Sequence, residues 1–369
     1  MEKIIQDKID ELANMMIDGI LEVVKIDSVK GTPSIDAPFG LGIKEALNKT
    51  LSIASSLGFT TKNIDNYIGY AQYGEGEDYI GIIGHLDVVE VGVGWTHPPF
   101  SGYVNDEGRI FSRGILDNKG PIMSCLYALY AIKELGIKLS KPVRIIFGTD
   151  EESGFEDLTY YLTKEKAPIM GWTPDCKYPV VYGERGRAVF MISADKKDIT
   201  SFFDFVTTYF LESKSNGDRL EINYMDDEFG EMQIRNTKLK AKDSTMKFGF
   251  TLSYPAVCTL QEIEKQIETK LSEKLTLKLI HNYNPVKFDK DCFMVKQLQS
   301  AYESVMHCDG TPVTTTGGTY AKAMPNIVPF GPSFPGQKGI GHNPNEWMDI
   351  KDIINNAKIY ALSIYKLAK

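Results

Sequence analysis

Seven residues of this chain have types and settings that suit metal chemistry. They are His85 and Asp87 in GIIGHLDVV, Asp117 in ILDNKG, the adjacent Glu151 and Glu152 in GTDEESG, Asp175 in PDCKY, and His342 in GIGHNPNEW. Imidazole and carboxylate together ligate divalent cations, zinc best, with cobalt or manganese also accommodated. Two dications roughly 3.5–4 Å apart need a shared anionic ligand, and a water bridging them becomes a nucleophile near neutral pH. A carboxylate beside the ions can take that proton and pass it to a leaving amine. Adjacent glutamates at a strand end serve both needs, because their side chains diverge. Taken singly, each residue also has a plain structural reading. An Asp before Asn-Lys-Gly is a turn residue, paired glutamates after a strand form a solvated loop, and His342 is a loop histidine. What unites them is position: all fall in predicted loops at strand ends, flanked by glycine, in the order His, Asp, Glu-Glu, Asp, His.

Those residues need elements that end where they stand. Apolar, β-rich runs at 79–84, 143–147 and 179–182 lead into His85, GTDEESG and GERG. Between the first two runs, ILDNKGPIMSCLYALYAIKELG reads as a helix, with Pro121 in its first turn and Gly136 as its cap. Strand, helix and strand with nearly continuous apolar strands predict an α/β fold with a mostly parallel sheet. In such sheets ligands bind beyond the carboxyl ends of the strands, where His85 and the Glu151–Glu152 pair stand. Ile5, Ile9, Leu12, Met16, Ile20 and Val24 give the N-terminal segment one apolar helical face. Residues 188–286 differ in character, with alternating strands and a helical TLQEIEKQIETKL, and read as an inserted small domain. Residues 1–187 and 287–369 then form a discontinuous first domain, closed by the amphipathic IKDIINNAKIYALSIYKLAK.

Composition excludes several classes. A net charge of −8 and the lack of any basic run argue against nucleic acid or an anionic membrane as partner. Five scattered cysteines without CxxC spacing exclude a disulfide framework or zinc finger and point to a reducing compartment. Charges at Glu2, Lys3, Asp7, Lys8, Asp10 and Glu11 make the N-terminal segment neither a signal peptide nor a membrane span, so a cytoplasmic protein is expected.

GHLDVV, GWTHPPFSG, SRGILDNKGP, GTDEESGFEDL, PDCKYPVVYGERG and the block from GGTYAKAMPN to GIGHNPNEW follow one another in this order. Together they resemble the dinuclear zinc exopeptidases, a family that includes aminoacylase, succinyl-diaminopimelate desuccinylase, carboxypeptidase G and the V-type (carnosinase-like, Xaa-His) dipeptidases. The last block looks most like the V-type dipeptidases. The resemblance implies a catalytic domain with a mostly parallel central sheet and an inserted α+β, ferredoxin-like lid or dimerisation domain. It also implies two zinc ions per chain. His85 and Asp175 would hold one ion, His342 and Glu152 the other, and Asp117 would bridge them. Asp87 would orient the His85 ring and Glu151 would be the general base. The implied substrates are small unblocked peptides, cleaved by a dipeptidase, or acyl amino acids, cleaved by a desuccinylase-like deacylase. A homodimer is the implied assembly.

Two departures from the family pattern stand out. Family members carry a histidine in an Ala-His-x-Ser/x-Pro type segment of the inserted domain, which contacts the scissile carbonyl oxygen. Here the insert contains one histidine, His281, and it lies in LKLIHNYNP. A missing oxyanion donor typically costs about 100- to 1000-fold in rate, so a catalytically impaired binding homologue is a further reading. The GGTYA block usually continues with arginine, which grips a substrate carboxylate, and here it continues with Lys322. The charge is kept without the planar two-pronged fork. Gly317 and Gly318 would let backbone approach the substrate. His97 and His307 match no catalytic motif and read as structural.

Overall fold

The computed structural model describes every residue from Met1 to Lys369. Helix α1 (Glu2–Val24) buries the face that its spacing defines, from Ile5 through Ile20 to Val24. Helix α2 (Leu41–Ser56) follows, then a hairpin of β1 (Thr60–Ile64) and β2 (Ile68–Tyr73). Asp65 and Asn66 lie at positive φ in its three-residue turn (65–67), a conformation that Asp and Asn tolerate better than most residues. Strand β3 (Ile80–His85), helix α3 (Lys119–Glu134) and strand β4 (Val143–Gly148) form the expected β-α-β unit. Both strands are buried throughout, which explains their largely apolar sequence, broken only by Arg144 and by His85 at the end of β3. Pro121 lies in the first turn of α3, and Gly136 follows its end at φ 63°. Helix α4 (Glu156–Lys164) and strand β5 (Met170–Thr173) complete the N-terminal part.

The chain then enters a second compact unit, Tyr182–Phe288 with Thr314–Gly318. It contains β6 (Gly186–Asp195), α5 (Ile199–Val206), β7 (Gln233–Lys242), β8 (Thr245–Tyr254), α6 (Leu260–Lys270) and β9 (Thr276–Tyr283). The four strands form one antiparallel sheet in the order β7-β8-β6-β9, the ferredoxin-like βαββαβ arrangement. One face is apolar and packs under α5 and α6, with Phe190, Phe202, Phe248, Phe250 and Ile263 in the core. Thr259 and Glu262 form a reciprocal capping box that starts α6.

The first unit resumes with α7 (Phe293–Met306), β10 (Ile327–Pro329) and α8 (Ile350–Ala368). Its six-stranded sheet runs β1-β2-β4-β3-β5-β10. Strands β4, β3, β5 and β10 are mutually parallel, and the β1–β2 hairpin joins antiparallel at one side. The third apolar run behaves differently from the first two. Its strand, Val181–Glu184, belongs to a separate three-stranded sheet and pairs antiparallel with Val286–Lys287. No helix is long and apolar enough to cross a membrane.

Candidate metal centre

Parallel pairing brings three strand ends to one edge of the sheet. His85 is the last residue of β3 and lies in register with Gly148, the last residue of β4. Glu151 and Glu152 follow β4, and Asp175 follows β5. Asp117 precedes α3 beside a cis Asp117–Asn118 peptide. His342 arrives from the loop before α8, at φ 62°. Residues up to 257 positions apart in sequence thus meet in one place.

Asp117 stands at the centre of the group. Its Oδ1 is 3.0 Å from His85 Nε2 and its Oδ2 is 3.0 Å from His342 Nε2. His342 Nε2 is also 2.9 Å from Glu152 Oε1, while His85 Nε2 is 3.8 Å from Asp175 Oδ2. Donor atoms of His85, Asp117 and Glu152 lie within 4.8 Å of one another, as do those of His85, Glu151 and Asp175. This mix of imidazole and carboxylate donors fits divalent cations bound at about 2.0–2.2 Å from each atom. His85 is fully buried, whereas His342 is exposed, so the group opens to solvent on the His342 side. Cavities of about 210 Å³ and 390 Å³ border it. The first is lined by Asp117, Asp175, Cys176, Lys338 and Gly341, the second by Lys30, Asp87, Glu90, Glu152 and His342.

The electrostatics are those of crowded carboxylates. Desolvation pushes the Glu151 carboxyl well above its usual range, and neighbouring Asp175 adds to the rise. Desolvation also raises Glu152, against a hydrogen bond from His342. Burial alone would raise Asp117, but hydrogen bonds from His342 and His85 hold it well below the usual carboxylate range. Hydrogen bonds to Asp117 and Glu152 push His342 up to about 11. A site that accumulates anions in this way calls for cationic charge.

Asp87 sits behind His85 in a particular way. The Nδ1–H of His85 faces the Asp87 main-chain carbonyl at 2.8 Å, with the carboxylate Oδ1 at 3.5 Å. This leaves Nε2 toward Asp117. The two carboxylate oxygens of Asp87 instead accept the amides of Glu151 and Glu152, at 3.2 and 3.1 Å.

Several supporting residues are not singled out by sequence patterns. Glu346 Oε1 accepts the amides of Leu116 and Asp117, and its Oε2 pairs with buried Arg113 at 2.7 Å. Asn118 Oδ1 accepts the His85 amide while its amide group donates to the Pro174 carbonyl, tying the ends of two strands together. Their signal was adjacency: Asn118 directly follows Asp117, and Glu346 stands four residues after His342. Lys322 is half-buried in a 3₁₀ turn of the first unit, while Gly317 and Gly318 are exposed in the second. His97 stacks on Tyr103, His307 ends α7 at φ 52°, and His281 lies exposed on β9 against Tyr283.

Residues 81–366 match the model of peptidase family M20/M25/M40, and the chain belongs to that family. The family is one of metallopeptidases, in keeping with a donor set suited to divalent cations. The chain is 28% identical to the protein named "Putative dipeptidase YtjP" of Bacillus subtilis, over 96% of this chain and 97% of that one. That alignment spans 453 positions against 369 residues here, an excess of 84, so YtjP carries segments this chain lacks. The chain is 38% identical over 206 residues to the Beta-Ala-Xaa dipeptidase of Lactobacillus delbrueckii subsp. lactis, covering 54% of this chain and 43% of that protein. Human carnosine dipeptidase 1 shares the fold, with a TM-score of 0.77 at 16% identity over 99% of this chain and 98% of that one.

Proposed function

We propose that this chain is a dipeptidase that uses two zinc ions per chain to hydrolyse small, unblocked peptides. One observation carries the reading: a single carboxylate, Asp117, presents one oxygen to each of two histidines. In this reading His85, Asp117 and Asp175 hold one ion, and His342, Asp117 and Glu152 hold the other. Cobalt or manganese suits the same mixed donors. Two dications held by these residues would supply Lewis acidity, polarising a peptide carbonyl and acidifying a water molecule. Glu151 takes the proton on its carboxylate and returns it to the leaving amine nitrogen. The Asp87 carbonyl orients the His85 ring, and its carboxylate holds the amides of both glutamates.

The cavities bordering the donors give room on two sides for the residues flanking a scissile bond. Lys322 is assigned to the substrate carboxylate by its charge, and Gly317 and Gly318 to close backbone approach. The dipeptidase names of the Bacillus and Lactobacillus relatives and of the human structure support peptides over acyl amino acids as substrates. No disulfide joins any of the five cysteines, which supports a reducing, cytoplasmic setting.

The test is turnover of a dipeptide panel beside acyl amino acids, with zinc, cobalt or manganese supplied. Glu151→Ala should lose at least about 1000-fold in kcat while elemental analysis still finds two metals. Full activity in that variant would remove Glu151 from the role of base. Turnover of acyl amino acids alone would make the enzyme a deacylase.

A further inference from the structure

Strand β4 ends at Gly148, and the four residues after it carry the chemistry. Their amides are held by two carboxylates in succession. Asp157 Oδ2 accepts the amides of Thr149 at 2.7 Å and Asp150 at 3.2 Å. Asp87 then accepts those of Glu151 and Glu152. Asp87 and Asp157 are both buried, at 2% and 0% exposure.

Asp87 sits two residues from His85 and belongs to the site already described. Asp157 lies in the first turn of α4 and is held from elsewhere. The hydroxyl of Tyr320 donates to Asp157 Oδ2, the oxygen that takes the two amides, while Oδ1 accepts the Leu158 amide. Tyr320 comes from the GGTYA segment, 163 residues downstream, and is completely buried. Its ring lies edge-on to His85 at 6.4 Å between centroids and tilted against Phe155 at 5.3 Å. Its hydroxyl passes so close under the chain that a Cβ on Gly148 would stand 2.1 Å from it. Glycine at the end of β4 is therefore a steric condition for this contact.

Asp150, in the same turn, does not substitute for Asp157. Its carboxylate is occupied by the Lys30 ammonium at 2.6 Å, the Ser153 hydroxyl at 2.5 Å and the Glu156 amide at 3.0 Å. These contacts brace the far side of the turn. The near side, where the chain leaves the sheet, depends on Asp157.

We infer that Tyr320 and Asp157 are positioning residues for the Glu151–Glu152 pair. The Tyr320 hydroxyl fixes the Asp157 carboxylate, that carboxylate sets amides 149 and 150, and Asp87 sets 151 and 152. Four fixed peptide units determine the directions in which the two glutamate side chains leave the backbone. A buried carboxylate that accepts from a hydroxyl and three amides cannot rotate without leaving donors unpaired, which makes the restraint stiff. The inference rests on the hydrolytic roles given to Glu151 and Glu152, and neither Tyr320 nor Asp157 touches the reacting atoms.

The test compares Tyr320→Phe and Asp157→Asn with the unaltered enzyme and with Tyr79→Phe. Tyr79 is a buried control whose hydroxyl pairs with Tyr161 and the Lys166 carbonyl. Because misplacement by about 1 Å costs on the order of 100-fold, Tyr320→Phe should lower kcat by about 10- to 100-fold with KM within about twofold. Metal content should stay at the wild-type value. Hydrogen exchange at amides 149–152 should accelerate by about tenfold or more, with little change elsewhere. Asp157→Asn should reproduce the pattern, and Tyr79→Phe should leave both kcat and these amides unchanged. Unaltered exchange in Tyr320→Phe overturns the inference, as does a kcat loss matched by Tyr79→Phe or by loss of metal. If the unaltered enzyme turns over no peptide, the hydrolytic reading fails, while the exchange comparison still decides whether this support exists.

Discussion

The first unit takes charge inside, and the second keeps it out. His85, Asp87, Arg113, Lys119, Asp150, Asp157 and Glu346 are all buried in the first unit, most of them within a few residues of the metal-site donors. The second unit buries only Glu184 and Arg185 among its charged side chains, and the core under its sheet is wholly apolar. The balance differs too. The second unit contains sixteen acidic and sixteen basic residues, so the whole net charge of −8 belongs to the first.

Within the second unit the charges are sorted by face. The register of its strands puts Arg187, Arg235, Lys238, Lys240, Lys242, Lys247 and Lys278 on the open side of the sheet. The only acid on that side is Asp195, at a strand end. Lysines on the free strand β7 also blunt an edge that would otherwise template further pairing. Exposed charges of this kind cost the fold little, whereas each buried charge in the first unit needs a dedicated partner. Buried charge therefore marks where function constrains the structure, and exposed charge does not.

Three substitutions break or sharpen this contrast. The largest effect is expected for Arg113→Met, which strands buried Glu346 and loosens the amides of Leu116 and Asp117. Removing one member of a buried pair costs about 3–5 kcal/mol, measurable by chemical denaturation. Activity should fall with it; a stability change below about 1 kcal/mol would mean that this pair is no more constrained than a surface one.

Lys119 gives an intermediate and pH-dependent effect. Its ammonium donates to the Ile26 carbonyl at 2.7 Å, and burial pushes its pKa down to about 7. Between about pH 7 and the ordinary value of 10.5, the native state binds fewer protons than the unfolded chain. This group's contribution to stability thus rises with pH across that window, and its cost is fully present below it. Lys119→Met should remove that slope, up to about 1.4 kcal/mol per pH unit, in denaturation curves at pH 7 and 9.5. An unchanged slope would show that Lys119 titrates normally.

The smallest effect is expected in the second unit. Lys240→Glu on β7 should change stability by no more than about 0.5 kcal/mol and leave the pH slope intact. A larger loss would end the simple division between buried and exposed charge.

The comparison also shows which features could be read early. Helix α1 followed from its own spacing, because one apolar stripe has only one way to be buried. The β3-α3-β4 unit followed in the same way from nearly continuous apolar runs on either side of a capped helix. The β1–β2 hairpin was not marked by such runs. Strand β1 is mostly exposed, so its sequence lacks an apolar pattern, and its clearest signal is the Asp65–Asn66 turn. The run before GERG resembled a central strand, yet its neighbours in space place it in another sheet. Local composition cannot distinguish two buried sheets.

The sequence by itself determined the chemistry available: two histidines and a set of carboxylates in loops at strand ends, and an inserted unit of mixed helix and strand. It also determined the family, since ordered motifs survive at low overall identity. Only the tertiary structure decided which oxygen of Asp117 faces which histidine, and that the Asp87 carboxylate turns toward two amides rather than squarely to the ring. It alone brought Glu346, Asn118 and Tyr320 behind the site. The reason is distance along the chain. Residue types and local periodicity are written within a few positions, but a hydrogen bond between Tyr320 and Asp157 exists only once the parallel sheet has formed and closed the 163 residues between them.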